Sequence, residues 1–132
     1  MPQFTWEPVD LLTVLGVAPE VGEYETWHKY TVTQPPIHLQ ITLWQYDADV
    51  EILLSVAGWE QPVLKYVMRG TPGVRAVDDK RGCFLEFAAA DTFTNRYDGY
   101  SVIPYGLRVW VTPRIRLEPF VYSTADRVAP VA

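Results

Sequence analysis

The chain has 132 residues and a net charge of −5, a length for one domain, residues 1–132, because two would each bury too small a core. Hydrophobic residues make up 48% and charged residues 20%, which excludes a disordered or fibrous chain. No run approaches 18 apolar residues, so no membrane-spanning helix is expected, and the opening MPQFTWEPVD has neither the basic nor the apolar region of a secretory signal.

One cysteine, Cys83, forms no internal disulfide, which fits a cytoplasmic protein. Eleven prolines and five tryptophans favour a turn-rich β protein. The charge is unevenly spread. Residues 1–60 carry nine acids against Lys29 alone, while residues 61–132 carry seven acids against ten bases. Such a split makes a dipole if each half keeps to its own region, and vanishes into a mixed surface if the halves interleave.

Residues 6–16 read as the one helix. Thr5 is placed to cap it, Pro8 falls in the first turn where its missing N–H costs nothing, and Gly16 offers a stop. Leu11, Leu12 and Leu15 form the expected packing stripe. Residues 24–33 are aromatic and β-branched and read as an edge strand broken by Pro35–Pro36. Ile37, Leu39, Ile41 and Leu43 alternate with His38, Gln40, Thr42 and Trp44, the period-2 pattern of a half-buried strand.

Asp47-Ala48-Asp49 makes a turn, and residues 50–57 follow as a central strand. Ile52-Leu53-Leu54 implies that both of its faces are covered, one of them by the helix. Residues 63–69 and 74–78 read as a hairpin about a type II turn at Thr71-Pro72-Gly73-Val74. Asp79 to Gly82 turns again into a strand at residues 83–89. Residues 91–98 are a polar loop, and Asp98-Gly99 is a candidate hairpin turn. Residues 100–103, 107–112 and 115–122 read as strands, the last placed at an edge or bulge by Pro119. The chain frays from Ser123.

The expectation is therefore a mainly β chain: an antiparallel meander sheet or partly open barrel of seven or eight strands with one short N-terminal helix. Its core is expected to draw on Leu12, Leu15, Ile41, Leu43, Ile52, Leu54, Val56, Val67, Leu85, Phe87, Val109 and Leu117.

Chemistry leaves few openings. His28 and His38 stand apart and Cys83 is single, so no metal or other cofactor is expected. No nucleophile elbow, zinc-protease motif or phosphate loop is present, which leans against an enzyme. Arg108, Arg114 and Arg116 with Trp110 make a basic hairpin. A domain of pI near 4.9 is nevertheless a poor nucleic-acid binder, and these arginines are expected to pair with carboxylates.

Two binding modes remain. The first is a non-catalytic protein that engages a basic protein partner through Glu23, Glu25, Asp47, Asp49 and Glu51. Small acidic immunity-type inhibitors neutralise basic enzymes such as nuclease toxins in this way, an analogy of composition alone. The second is a small-ligand or glycan binder that uses His38, Trp44, Tyr46, Arg108 and Trp110 as a platform. The alternative role for these aromatics is to cover a second small core.

Overall fold

A computed structural model describes residues 4–89, 99 and 102–121. Pro8–Leu15 forms the helix α1. Pro8 opens it, and Gly16 ends it in the left-handed region (φ 72°) while its N–H donates to the Leu12 carbonyl at 2.9 Å. Glu7 occupies the N-cap without a side-chain cap bond. Thr5, the expected cap, is instead bridged in parallel to Gly73: its N–H donates to the Pro72 carbonyl and its carbonyl accepts from Val74. The buried face is Leu11, Val14 and Leu15, at the i, i+3, i+4 spacing of a helix. Leu12 does not belong to the packing stripe. It lies about 100° round the helix from Leu11 and is 51% exposed.

Nine strands follow among the described residues, in two open antiparallel sheets with no closed barrel. The fold is mainly β, as composition and alternation imply. The first sheet runs in chain order through β1 (Glu20–Val21), β2 (His28–Gln34), β3 (Ile37–Trp44), β4 (Asp49–Val56) and β5 (Leu64–Met68). The second is likewise sequential: β6 (Val74–Asp79), β7 (Gly82–Ala88), β8 (Tyr105–Trp110) and β9 (Arg116–Val121). Their inner faces share one hydrophobic cluster. Tyr30, Leu39, Ile41, Leu43, Val50 and Ile52 meet Val74, Leu85, Phe87, Leu107 and Val109, with Leu11, Val14 and Leu15 of the helix. Two sheets, each apolar on one face, satisfy each other in this way.

Several expectations need correction. β2 is not an edge strand, because β1 pairs outside it, and residues 23–25 form a 3₁₀ turn rather than strand. No type II turn joins β5 to β6. Pro72 and Gly73 are buried and Gly73 lacks a positive φ, which falls instead at Gly70 (φ 67°). This segment carries the chain from one sheet to the other, its Thr71 N–H donating to the Ala48 carbonyl at 2.7 Å. The helix packs on β6 and β7 rather than on β4, so the outer face of β4 is left half-buried. Val67 belongs to that outer face and is 42% exposed. Leu54 and Leu117 sit at the margin of the core, and Val56 is half-buried without joining it.

The Asp79–Gly82 turn is a two-residue hairpin as expected, and β9, the strand that contains Pro119, is indeed an edge. Residues 102–104 are not strand, and Ile103 packs with Ala88 and Phe120 in a small second cluster. The loop at residues 91–98, Asp98 of the expected Asp98-Gly99 turn, Tyr100, Ser101 and the segment from Ser123 lie outside the described residues.

Candidate functional site

Antiparallel register determines which side chains share the outer face of the first sheet. Lys29, Thr42, Glu51 and Val67 form one cross-strand row; Thr31, Gln40, Leu53 and Lys65 form the next; Thr33, His38 and Ser55 the third. Trp44 opposes Asp49 at the end of β3. Trp27, just before β2, completes an open depression of about 280 Å³ with Lys29, Gln40, Thr42, Trp44 and Glu51.

The orientation of Trp27 depends on Gly22. A Cβ at that position would fall 2.2 Å from the indole Nε1, and the Gly22 N–H donates to the Trp27 carbonyl at 2.9 Å. Lys29 lies 5.9 Å from the Trp27 ring centroid and 3.6 Å from the Glu20 carboxylate, so its charge is largely offset locally. Glu51 has no cation partner among the described residues.

One end of this sheet gathers the acids. The 3₁₀ turn Glu23–Glu25 precedes β2, and the Asp47 turn joins β3 to β4. Because His28 pairs with Leu43, these two turns are neighbours, and Gln45 ties them together. Its side-chain Nε2 donates to the Glu25 carbonyl, and its Oε1 lies 3.2 Å from His28 Nδ1. Of the five acids expected at a partner face, Glu23, Glu25 and Asp47 are exposed and Glu51 is half-buried. Among the described residues only Asp49 of these is paired, accepting from Arg69 Nη1 and from the Gly70 N–H, each at 3.4 Å.

The charge split is kept in part: the first sheet is one continuous stretch of chain, but it takes in Lys65 on β5, Asp49 pairs with Arg69, and helix α1, which carries Asp10, packs on β6 and β7. From Glu20 to Met68 there are seven acids and two lysines.

The expected aromatic platform is not assembled as one surface. His38 and Trp44 share the outer face of the first sheet, with His38 Nδ1 3.2 Å from Thr33 Oγ1. Tyr46 lies beyond the strand in the turn and is 60% exposed. Arg108 and Trp110 belong to the other sheet. Trp110 is 3% exposed, packs on Phe84 at 4.6 Å and donates its Nε1–H to the Arg81 carbonyl at 3.0 Å. It is therefore structural, the covering role that aromatics also fill.

Arg108 sits in a ladder across four strands: Arg75, Glu86, Arg108, Glu118. Its Nε donates to Glu86 at 2.9 Å and its Nη1 to Glu118 at 3.2 Å. Arg114 and Arg116 do not pair with carboxylates among the described residues, contrary to expectation.

No catalytic group emerges from Cys83. Burial, aided by the neighbouring Asp78 charge, raises its thiol pKa and disfavours the thiolate that nucleophilic chemistry requires. Among the described residues no three His, Cys, Asp or Glu side chains gather as a metal site, and no helix is long and apolar enough to cross a membrane.

No protein-family profile matches the chain, and no curated protein sequence matches it either. Among solved structures it is similar to a chain of a contact-dependent growth inhibition toxin–immunity protein complex from Klebsiella pneumoniae 342. The superposition has a TM-score of 0.70 and covers 91% of this chain and 98% of that one, at 11% identity. The likeness is one of fold.

Sequence reasoning anticipated Trp44 and Glu51 but missed Trp27, Gly22 and Lys29. Alternation within β2 would have set Lys29 and Thr31 on one face. Only register against β3 brings that face beside Trp44.

Proposed function

We propose that this chain is a non-catalytic, immunity-type inhibitor that covers a basic protein partner with the acidic end and outer face of its first sheet. The observation that carries this reading is the gathering of Glu23, Glu25 and Asp47 in two neighbouring turns at one end of the sheet, with Glu51 lining a depression beside Trp27 and Trp44, and none of the four paired with a cation among the described residues. Carboxylates that the fold leaves uncompensated suit a cationic partner and speed its approach. Tryptophans beside them are the residue type that anchors interfaces. The toxin–immunity protein complex whose chain shares this fold supports the same reading, with a toxin as the partner. A cytoplasmic location fits the single cysteine.

The test reverses charge where folding does not need it. Asp49 is unsuitable, since it holds Arg69 and the Gly70 N–H; Asp47→Lys with Glu25→Lys leaves those bonds intact. A partner retained by the wild-type chain is measured by surface plasmon resonance over a salt series. The association rate is expected to fall steeply with salt, because steering decays over about 8 Å at physiological ionic strength. In the double variant it falls at low salt while thermal stability stays within about 0.5 kcal/mol. An unchanged rate in both salt and variant refutes the reading. The depression also favours a second reading, a small-ligand or glycan site. Saturable binding of a glycan that is lost on Trp44→Ala and indifferent to Asp47→Lys would support it.

A further inference from the structure

We propose that the cleft at the β8–β9 turn is a receptor for the phosphate group of a small phosphomonoester. This cleft, about 220 Å³, lies on the second sheet and is walled by Arg81, Trp110, Thr112, Arg114 and Arg116. It is separate from the acidic face, and the proposal does not depend on the inhibitor reading.

Charge is the first argument. Arg81 is already neutralised: it forms a 2.7 Å ion pair with Asp79, reinforced by its Nε. Arg114 and Arg116 have no carboxylate within bonding distance among the described residues, although six other ion pairs form there. Two uncompensated guanidinium groups match a phosphomonoester, which carries a charge between about −1.5 and −2 at neutral pH.

Preorganisation is the second. The Arg116 guanidinium lies 3.8 Å from the Trp110 ring centroid. A guanidinium held on an aromatic face keeps its N–H edges for an acceptor and loses little entropy on binding it. The ring itself is fixed by its bond to the Arg81 carbonyl and by Phe84. The turn that presents Arg114 is held from the first sheet by Gln34, whose Nε2 donates to the Val111 carbonyl at 2.5 Å and whose Oε1 accepts the Ile115 N–H at 2.7 Å.

The class of ligand follows from what is absent from the wall. The indole face is covered, so no aromatic platform is left for a base or a sugar ring, and the recognised group is the phosphate itself. A polyanion is disfavoured, because a chain of net charge −5 repels many phosphates far more than one.

The experiment titrates the ¹⁵N-labelled full chain with inorganic phosphate and, separately, with glycerol phosphate, at ionic strength matched with chloride. The Trp110 indole N–H signal is expected to shift saturably, with a dissociation constant of about 1 mM or tighter. Equal affinity for the two probes identifies the phosphate as the whole determinant; much tighter binding of the ester adds a contact from its organic part, and both outcomes support the site.

Arg114→Gln is expected to weaken binding about tenfold, the loss of one charge-assisted hydrogen bond. Arg116→Lys, which keeps the charge but not the planar fork, weakens it as well. Glu51→Lys leaves it unchanged, which separates this site from the acidic face. Absence of a saturable shift at about 10 mM phosphate, ten times the limiting constant, overturns the proposal. Undiminished binding by Arg114→Gln overturns it too, as does a single-stranded RNA that binds without competition from phosphate.

Discussion

Removal of the Glu86 carboxylate is the sharpest test of how the second sheet holds its charges. Glu86 is 3% exposed on the outer face, with Arg75 on one side and Arg108 on the other. Its Oε1 accepts from Arg75 Nε at 3.1 Å and Nη2 at 2.9 Å, and its Oε2 accepts from Arg108 Nε at 2.9 Å. The Arg108 side chain is only 14% exposed and its guanidinium lies 4.0 Å from the Phe120 ring centroid, so it has little recourse to water. Glu86→Ala deletes the acceptor of three charge-assisted bonds and leaves the Arg108 guanidinium its 3.2 Å bond to the exposed Glu118 as its remaining ion pair among the described residues. Breaking a buried pair from one side costs about 3–5 kcal/mol.

Arg75 is less buried, at 24% exposed, which puts the expected loss near the lower bound of that range. The loss should be insensitive to salt, since screening acts weakly on buried pairs. Urea unfolding followed by tryptophan fluorescence measures it. A companion variant checks the cause: Glu86→Leu with Arg108→Met removes the two most buried charges of the ladder and should recover part of the stability, with Arg75 still lacking its bonds to Glu86, because much of the cost comes from leaving a charge buried without its partner. A loss below about 1 kcal/mol for Glu86→Ala, the scale of an exposed ion pair, would refute the reasoning.

Ile52→Ala should cost about 2–5 kcal/mol by chemical denaturation, as a fully buried large-to-small change, whereas Leu12→Ala on the exposed side of the helix should stay within about 0.5 kcal/mol; equal losses would mean the helix face is misassigned. Gly106→Ala should prevent folding or destabilise severely, because its Cβ would fall 1.8 Å from the Phe87 carbonyl oxygen, and normal circular dichroism and melting would contradict the β7–β8 register. The hydrogen bond from the Arg81 side chain, with that from its backbone N–H, holds the Asp79 carboxyl below its usual range. A lowered folded-state pKa contributes stability that is full above the ordinary carboxylate value of about 4 and is lost as pH falls from there through the lower folded-state value. Asp79→Asn should therefore be less stable than wild type at neutral pH and converge with it in acid, and a gap that widens in acid would contradict the pairing.

Much of the local structure is legible in the chain itself. Pro8 and Gly16 bound the helix, the alternation from Ile37 to Trp44 identifies β3 and its two faces, and Pro119 announces an edge. Those features are legible because a missing N–H, a positive φ and a two-residue period act within a few residues of where they are written.

The partition into two sheets is not legible in that way. Thr71-Pro72-Gly73 has the letters of a hairpin turn, yet its backbone is committed elsewhere, Thr71 to Ala48 and Pro72 to Thr5, partners 23 and 67 positions away in the numbering. Nor could composition tell whether the acidic and basic halves would interleave. The acids of the first sheet stay together because it is wound from consecutive strands, so proximity in the chain becomes proximity on a face, whereas Asp49 pairs with Arg69 and the acidic helix α1 packs on the second sheet. The same register hides Arg108 and Trp110 inside a ladder of side chains and leaves Trp27 and Trp44 open beside Glu51. Which strand arginines of the second sheet meet a carboxylate, as Arg75 and Arg108 do, and which does not, as Arg116 opposite Trp110, depends on the residue opposite in the neighbouring strand. Hydrogen-bond register sets that pairing, and register is a property of the whole sheet.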